Sequence, residues 1–355
     1  MGSVSERFDP MQAGRHMAAE VAEQPRIWRS ALERRNGLAD VARRVAAQGP
    51  RFVLLAARGT SDHAALYAKY LVEILHRLPA GLVSPSTMTA YGAEPSLTNV
   101  LLLAISQSGG SPDLVQTVEV GRRNGALTLA VTNNPHSPLA QAAELHLDVG
   151  AGPERAVAAT KSYTAQLLTL YLLLDHLRGG AGADAARLPD LGEAVLAQAE
   201  SQLAACASRY RFAQRMVVTG RGYAYPTARE AALKLMETSY VSAQAFSGAD
   251  LLHGPLAMLD RQVPVLAVVP DGVAGRAMGQ VLPRIRQARA DLFVVGSAEA
   301  VAAADAGFVL PSGVAEELSP LLEILPFQLL ALKLAVARGE DPDAPRGLRK
   351  VTETV

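Results

Sequence analysis

Ten short, almost uninterrupted apolar runs alternate with Ala- and Leu-rich helical stretches along this 355-residue chain, and that alternation limits the folds open to it. A strand that is apolar on both faces must be covered on both faces, which is the condition of a parallel sheet between two helix layers. The first half predicts strands near 52–57 (FVLLAA), 81–84, 100–105, 126–132 (ALTLAVT) and 145–149. The second predicts them near 216–219, 241–246, 264–269 (PVLAVV), 291–295 and 307–310. The halves also repeat one another. Phe52 to Ala57 runs into Arg58-Gly59 and a helical stretch, and Met216 to Thr219 runs into Gly220-Arg221-Gly222 and another. The expected class is α/β: two doubly wound three-layer αβα domains with parallel five-stranded sheets, flavodoxin-like, binding ligands outside the carboxyl ends of the strands. The expected divisions are an N-terminal helical segment 1–48, a first domain 49–190, a second domain 191–338 and a tail 339–355. Residues 178–190 (RGGAGADAARLPD) read as the linker between the domains.

Charge removes several function classes. Lys plus Arg and Asp plus Glu both number 34 and no long basic run occurs, which argues against a nucleic-acid partner and a membrane-surface role. Cys206 is the single cysteine, so neither an intrachain disulfide nor a zinc-type cluster is expected. The apolar stretch Ala165 to Leu174 is short and stops at Asp175, and the N-terminus has no apolar signal core. The expectation is a cytoplasmic protein without a membrane span.

The loop after the third predicted strand carries the most chemistry. Ser106-Gln107-Ser108-Gly109-Gly110-Ser111 packs three hydroxyls, an amide and two glycines in front of Pro112-Asp113 and a helical stretch. Backbone N–H groups at a helix start, joined by side-chain donors, bind anions well. An ordinary turn, with Ser111 capping a helix that has Pro112 at its first position, is the other reading. A second loop at a predicted strand end, Arg58-Gly59-Thr60-Ser61, is also hydroxyl-rich. Neither has the lysine of a nucleotide P-loop or the G-x-G-x-x-G spacing of a dinucleotide site, and both suit a small terminal phosphate.

In the second half, AREAALKLMETSY (228–240) places Glu230, Lys234 and Glu237 on one helix face. Such a set is most often an exposed ion pair. On the first helix after a Gly-rich strand end it can instead face the ligand crevice, where a carboxylate beside an ammonium serves as a proton-transfer base. His253, before Gly-Pro, lies in a loop or at a helix start, and histidine is the side-chain type suited to acid–base work near neutral pH. His63, His76, His136, His146 and His176 are expected to be structural. Lys350, near the end of the chain, would form an imine with a sugar carbonyl only if closed into an apolar site.

Taken in order, EVAEQPRIW, RGTSDHA, SQSGGSPD, AGPERAVAATKSYTAQL, EAALKLMETSY, LLHGPLA and the lysine-bearing tail resemble the sugar isomerase (SIS) domain family. More closely, they resemble the isomerase half of glucosamine-6-phosphate synthase and the stand-alone glucosamine-6-phosphate deaminases. The resemblance implies tandem SIS domains. It implies phosphate contacts from Gly59, Thr60, Ser61, Ser106, Gln107, Ser108 and Ser111, and sugar contacts from Glu154, Val157 and Ala159. It implies a proton-shuttling Glu237 with Lys234 and Glu230 on its helix, a ring-opening His253 reaching across a homodimer interface, and an imine-forming Lys350. No cofactor and no metal are implied. Gly110-Ser111-Pro112-Asp113 is similar to the deaminase branch, whereas Gly347 and Val351 stand where relatives carry Asn and Ser. The segment before the first strand is too short for the synthase's glutaminase domain, so conversion of glucosamine 6-phosphate to fructose 6-phosphate and ammonia is the expected direction. Alternatives are a fructosamine-6-phosphate deglycase, an aldose–ketose isomerase and a non-catalytic sugar-phosphate sensor.

Overall fold

The computed structural model describes Asp9 and residues 12–350; positions 351–355, Val351 among them, lie outside the described residues. Ten strands form where apolar runs predict them, each within two residues or so. They are β1 (Phe52–Ala56), β2 (Ala80–Leu82), β3 (Val100–Ser106), β4 (Leu127–Thr132) and β5 (Leu145–Asp148), then β6 (Arg215–Gly220), β7 (Ser242–Ser247), β8 (Val265–Val269), β9 (Leu292–Gly296) and β10 (Ala306–Val309). Both sheets are parallel throughout, in the orders β2-β1-β3-β4-β5 and β7-β6-β8-β9-β10, so the second repeats the topology of the first. β8 and β9 are buried at every position, as strands covered on both faces must be.

In each sheet the chain winds outward in one direction from β1 or β6 and then in the other, which opens a crevice at the reversal. In the first sheet β1 and β3 flank that point. Their register pairs Ala56 with Ala104, so the loops after Ala56 and after Ser106 lie side by side.

Three features depart from the sequence reading. The segment expected as a linker is folded: Asp175 accepts the Gly182 N–H at 2.7 Å, Ala185 and Leu188 are buried, and a 23-residue helix already begins at Leu188. The N-terminal helix Arg15–Glu33 packs against helices of both halves, Lys161–Leu177 and Leu188–Tyr210, and its Glu20 carboxylate accepts the N–H groups of Arg155 and Ala156. One span, Glu316–Ala337, is long and apolar enough to cross a membrane, although none was expected; its most apolar window is 83% buried inside the protein. It is a core helix, wedged against the helices Leu188–Tyr210 and Ala224–Ser239.

That core helix carries Glu323, fully buried and bonded only to hydroxyls, Ser319 at 2.5 Å and Thr227 at 2.8 Å. Burial without a cation pushes its carboxyl up to about 7. A folded-state value above the unfolded one stabilises the fold fully below about pH 4.5, and that contribution is lost as pH rises to about 7. The lost part amounts to roughly 3 kcal/mol. Glu323→Gln should therefore flatten the decline in denaturant-measured stability across this window. An unchanged slope would show that Glu323 is ionised already at low pH.

Candidate active site

Two helix starts converge at the reversal of the first sheet. β1 gives way to Arg58-Gly59 and the helix Thr60–Leu71, and β3 gives way to the serine loop and the helix Pro112–Arg123. Gly109 has φ +65°, and a Cβ there would lie 2.2 Å from Ser137 Oγ, so glycine alone fits this turn. The hydroxyls are arranged to donate outward. Ser106 Oγ accepts the Gly109 N–H at 3.1 Å, and Ser108 Oγ accepts the Gly110 N–H at 3.2 Å. Each therefore keeps its own O–H for another acceptor. Ser111 occupies the cap position before Pro112, yet its side chain makes no capping bond. The turn is thus more than an ordinary cap. It is a set of unspent donors at two helix N-termini, a site suited to an anion.

These groups line a cavity of about 330 Å³. Gly59, Thr60, Ser61, Ser106, Gln107, Ser108 and Ser111 line it together with Val157, Ala159, Glu237 and the tail residues Leu348 to Lys350. Ser61 is held from behind by Gln166, whose amide donates to Oγ at 3.0 Å.

The helix Ala224–Ser239 brings the second domain to this cavity. Glu237 reaches it with 22% of its side chain exposed, while Lys234 and Glu230 are wholly buried beneath. Lys234 Nζ donates to Glu237 Oε2 at 2.6 Å and to Thr60 Oγ1 at 3.2 Å, and it lies 3.3 Å from Glu230 Oε1. Burial works to lower this lysine, but the two carboxylates outweigh it and hold the ammonium well above its ordinary value. The pair is therefore not the solvated surface bridge common on helices. Glu237 Oε1 has no partner among the described residues.

Two residues expected at the site sit behind it. Glu230 does not line the cavity; its carboxylate binds Thr60 Oγ1 at 3.1 Å and His63 Nδ1 at 2.7 Å. Glu154 does not line the cavity either; it caps the helix Lys161–Leu177 through the N–H groups of Thr160 and Ser162 and the Ser162 hydroxyl. Its remaining partner is Lys350, whose Nζ donates to Glu154 Oε2 and to the Ala156 carbonyl, both at 2.7 Å. Burial tends to raise Glu154, but Lys350 and the N–H donors prevail and hold its carboxyl below the usual range. Lys350 lines the cavity as a bound donor, and imine formation requires it to leave both acceptors. His253 ends the short helix Gly248–Leu252, exposed and not among the residues that line its own chain's cavity, with Nδ1 2.8 Å from the Ala249 carbonyl.

The SIS domain model matches residues 50–175 and 210–338, one match on each parallel sheet. The chain belongs to the SIS domain family. It is 36% identical over 355 residues to the glutamine–fructose-6-phosphate aminotransferase (isomerizing) of Gloeobacter violaceus, covering 94% of this chain and 58% of that protein. The chain thus spans little more than half the length of that relative. Two solved structures share the fold. The C-terminal domain of glucosamine-fructose-6-phosphate aminotransferase from Francisella tularensis has a TM-score of 0.84 at 24% identity, covering 95% of this chain and all of that one. Glucosamine-6-phosphate deaminase from Thermotoga maritima has a TM-score of 0.79 at 20% identity, covering 96% and 100%.

Some lining residues of this SIS chain were not singled out from sequence. Arg58 borders the cavity, with its guanidinium fixed by buried Asp113 at 2.8 Å, and Leu348 and Arg349 arrive from the tail. Arg58 stands in the quoted RGTS loop, so a cation beside the two hydroxyls of Thr60 and Ser61 was the available signal. Nothing local to Leu348 or Arg349 foretells where the tail lies.

Proposed function

We propose that this chain is an aminosugar-phosphate enzyme of the cytoplasm, a glucosamine-6-phosphate deaminase (isomerising) that yields fructose 6-phosphate and ammonia. The observation that carries it is Glu237, a carboxylate held by a buried ammonium and lining the same cavity as the hydroxyls of the two helix-start loops. The cradle takes the 6-phosphate, and binding the far end of the sugar positions C1 and C2. With the ring open, Glu237 removes the C2 proton while water protonates the C1 oxygen, so that the carbonyl becomes the enol of a 2-amine. Glu237 then returns its proton to C1 while the nitrogen gives one back to water, leaving a 2-imine. Water adds at C2 and ammonia departs, giving the ketose. Lys234 holds the Glu237 carboxylate in place through both steps.

His253 has no role within its own chain's cavity. The reading therefore assigns it to the cavity of a second copy, in a homodimer, where it protonates the ring oxygen. A coupled assay of ammonia release over a panel of aminosugar phosphates tests the whole reading. Glucosamine 6-phosphate should release ammonia. Release of a primary amine from a fructosamine 6-phosphate would replace the deaminase with a deglycase, and aldose–ketose interconversion without loss of nitrogen would replace it with an isomerase. In the same assay, mixing inactive His253→Ala and Glu237→Gln subunits should restore part of the activity. No recovery after verified subunit exchange would remove His253 from a shared site.

A further inference from the structure

His63 was expected to be structural, yet its partner is one step from the reacting carboxylate. It lies on the helix Thr60–Leu71 of the first domain, 6% exposed, and its Nδ1 is 2.7 Å from Oε2 of Glu230 in the second. An ionised carboxylate only accepts, so Nδ1 is the donor. Thr60 supplies the other oxygen of Glu230 at 3.1 Å. Lys234 is then left 3.3 Å from Glu230 and 2.6 Å from Glu237, an asymmetric choice between two carboxylates.

We infer that His63 is a positioning residue for Glu237: by satisfying Glu230 it keeps the buried Lys234 ammonium committed to the carboxylate that faces the cavity. A buried carboxylate stripped of a donor takes the nearest cation, because an unpaired charge in the interior is costly. Without His63 that cation is Lys234. Its movement toward Glu230 would release Glu237 from the orientation that aims it at substrate. The same pair also joins the two domains, and a merely adhesive His63 would leave Glu237 untouched. The inference rests on the reading of Glu237 as the base, and its test separates the two.

His63→Ala and His63→Leu remove the donor, the second while filling the volume. Either should lower kcat by about 10–100-fold, the scale expected for a misplaced catalytic group, with KM within about threefold. His63→Asn, which keeps a donor N–H at similar reach, should restore most of kcat. Adding Glu230→Gln to His63→Ala should also recover turnover, because a neutral amide no longer competes for Lys234. A second readout needs no turnover. The carbon-13 carboxyl resonance of Glu237, assigned by its loss in Glu237→Gln, should shift in His63→Ala and His63→Leu and return in His63→Asn. A resonance that stays in place, or a fall in melting temperature with kcat unchanged, overturns the inference. Inactivity of the wild type on every aminosugar phosphate, with the resonance still moving, overturns the function and leaves the positioning role supported.

Discussion

Glu237→Gln should lower turnover by about 10²–10⁴-fold while leaving KM nearly unchanged, because the amide keeps the side chain's shape and loses the base. Its oxygen can still accept from Lys234 Nζ, now 2.6 Å from Oε2, so the hydrogen bond beneath the cavity survives. The charge does not. Lys234 has no exposure and would be left with Glu230 as its single carboxylate partner, so stability should fall by more than a surface pair would cost, up to roughly 3 kcal/mol. The assay must therefore be paired with a melting temperature, and the kinetic loss read on folded protein. In the wild type, reaction in heavy water should place deuterium at C1 of the product to the extent that exchange on Glu237 outruns internal transfer. Near-normal ammonia release by a folded Glu237→Gln protein would sink the mechanism.

Ser106→Ala combined with Ser108→Ala should act on the other term, weakening binding far more than it slows bound substrate. Each lost hydrogen bond to a charged phosphate is worth roughly 1.5–3 kcal/mol, so the pair should raise KM about a hundredfold or more. Both hydroxyls also accept loop N–H groups, those of Gly109 and Gly110. Part of the effect will therefore come from a loosened loop. The discriminating comparison is with the unphosphorylated aminosugar. Affinity for it should be weak in the wild type and hardly altered in the double variant. Equal affinity of the wild type for the two sugars would remove the phosphate cradle.

Much of this molecule was legible because its signals are local. A fully covered strand has to be apolar at successive positions, so PVLAVV and FVLLAA announce β8 and β1 without help from the rest of the chain. The serine loop was legible for the same reason, since strand end, glycine turn and helix start lie within ten residues of one another. The segment 178–190 misled because its glycines and alanines suit a flexible linker equally well. Its order comes from Asp175, which gathers the backbone N–H of Gly182. The helix Ser319–Ala337 shows the same ambiguity from the other side, because an apolar surface wrapped by protein and one wrapped by lipid are composed alike.

By itself the sequence determined the tandem α/β architecture, the family, the hydroxyl-rich loops and the helix bearing Glu230, Lys234 and Glu237. Only the tertiary structure decided which of these reach the cavity. It turned Glu154 into a helix cap, withdrew Glu230 to meet His63, brought Leu348 to Lys350 into the cavity lining and left His253 out of it. Residue spacing along a helix establishes which side chains share a face, but not how deep that face lies. Depth is decided by what packs against it, and here the partners come from far away: His63 and Glu230 are separated by 167 positions, Glu154 and Lys350 by 196.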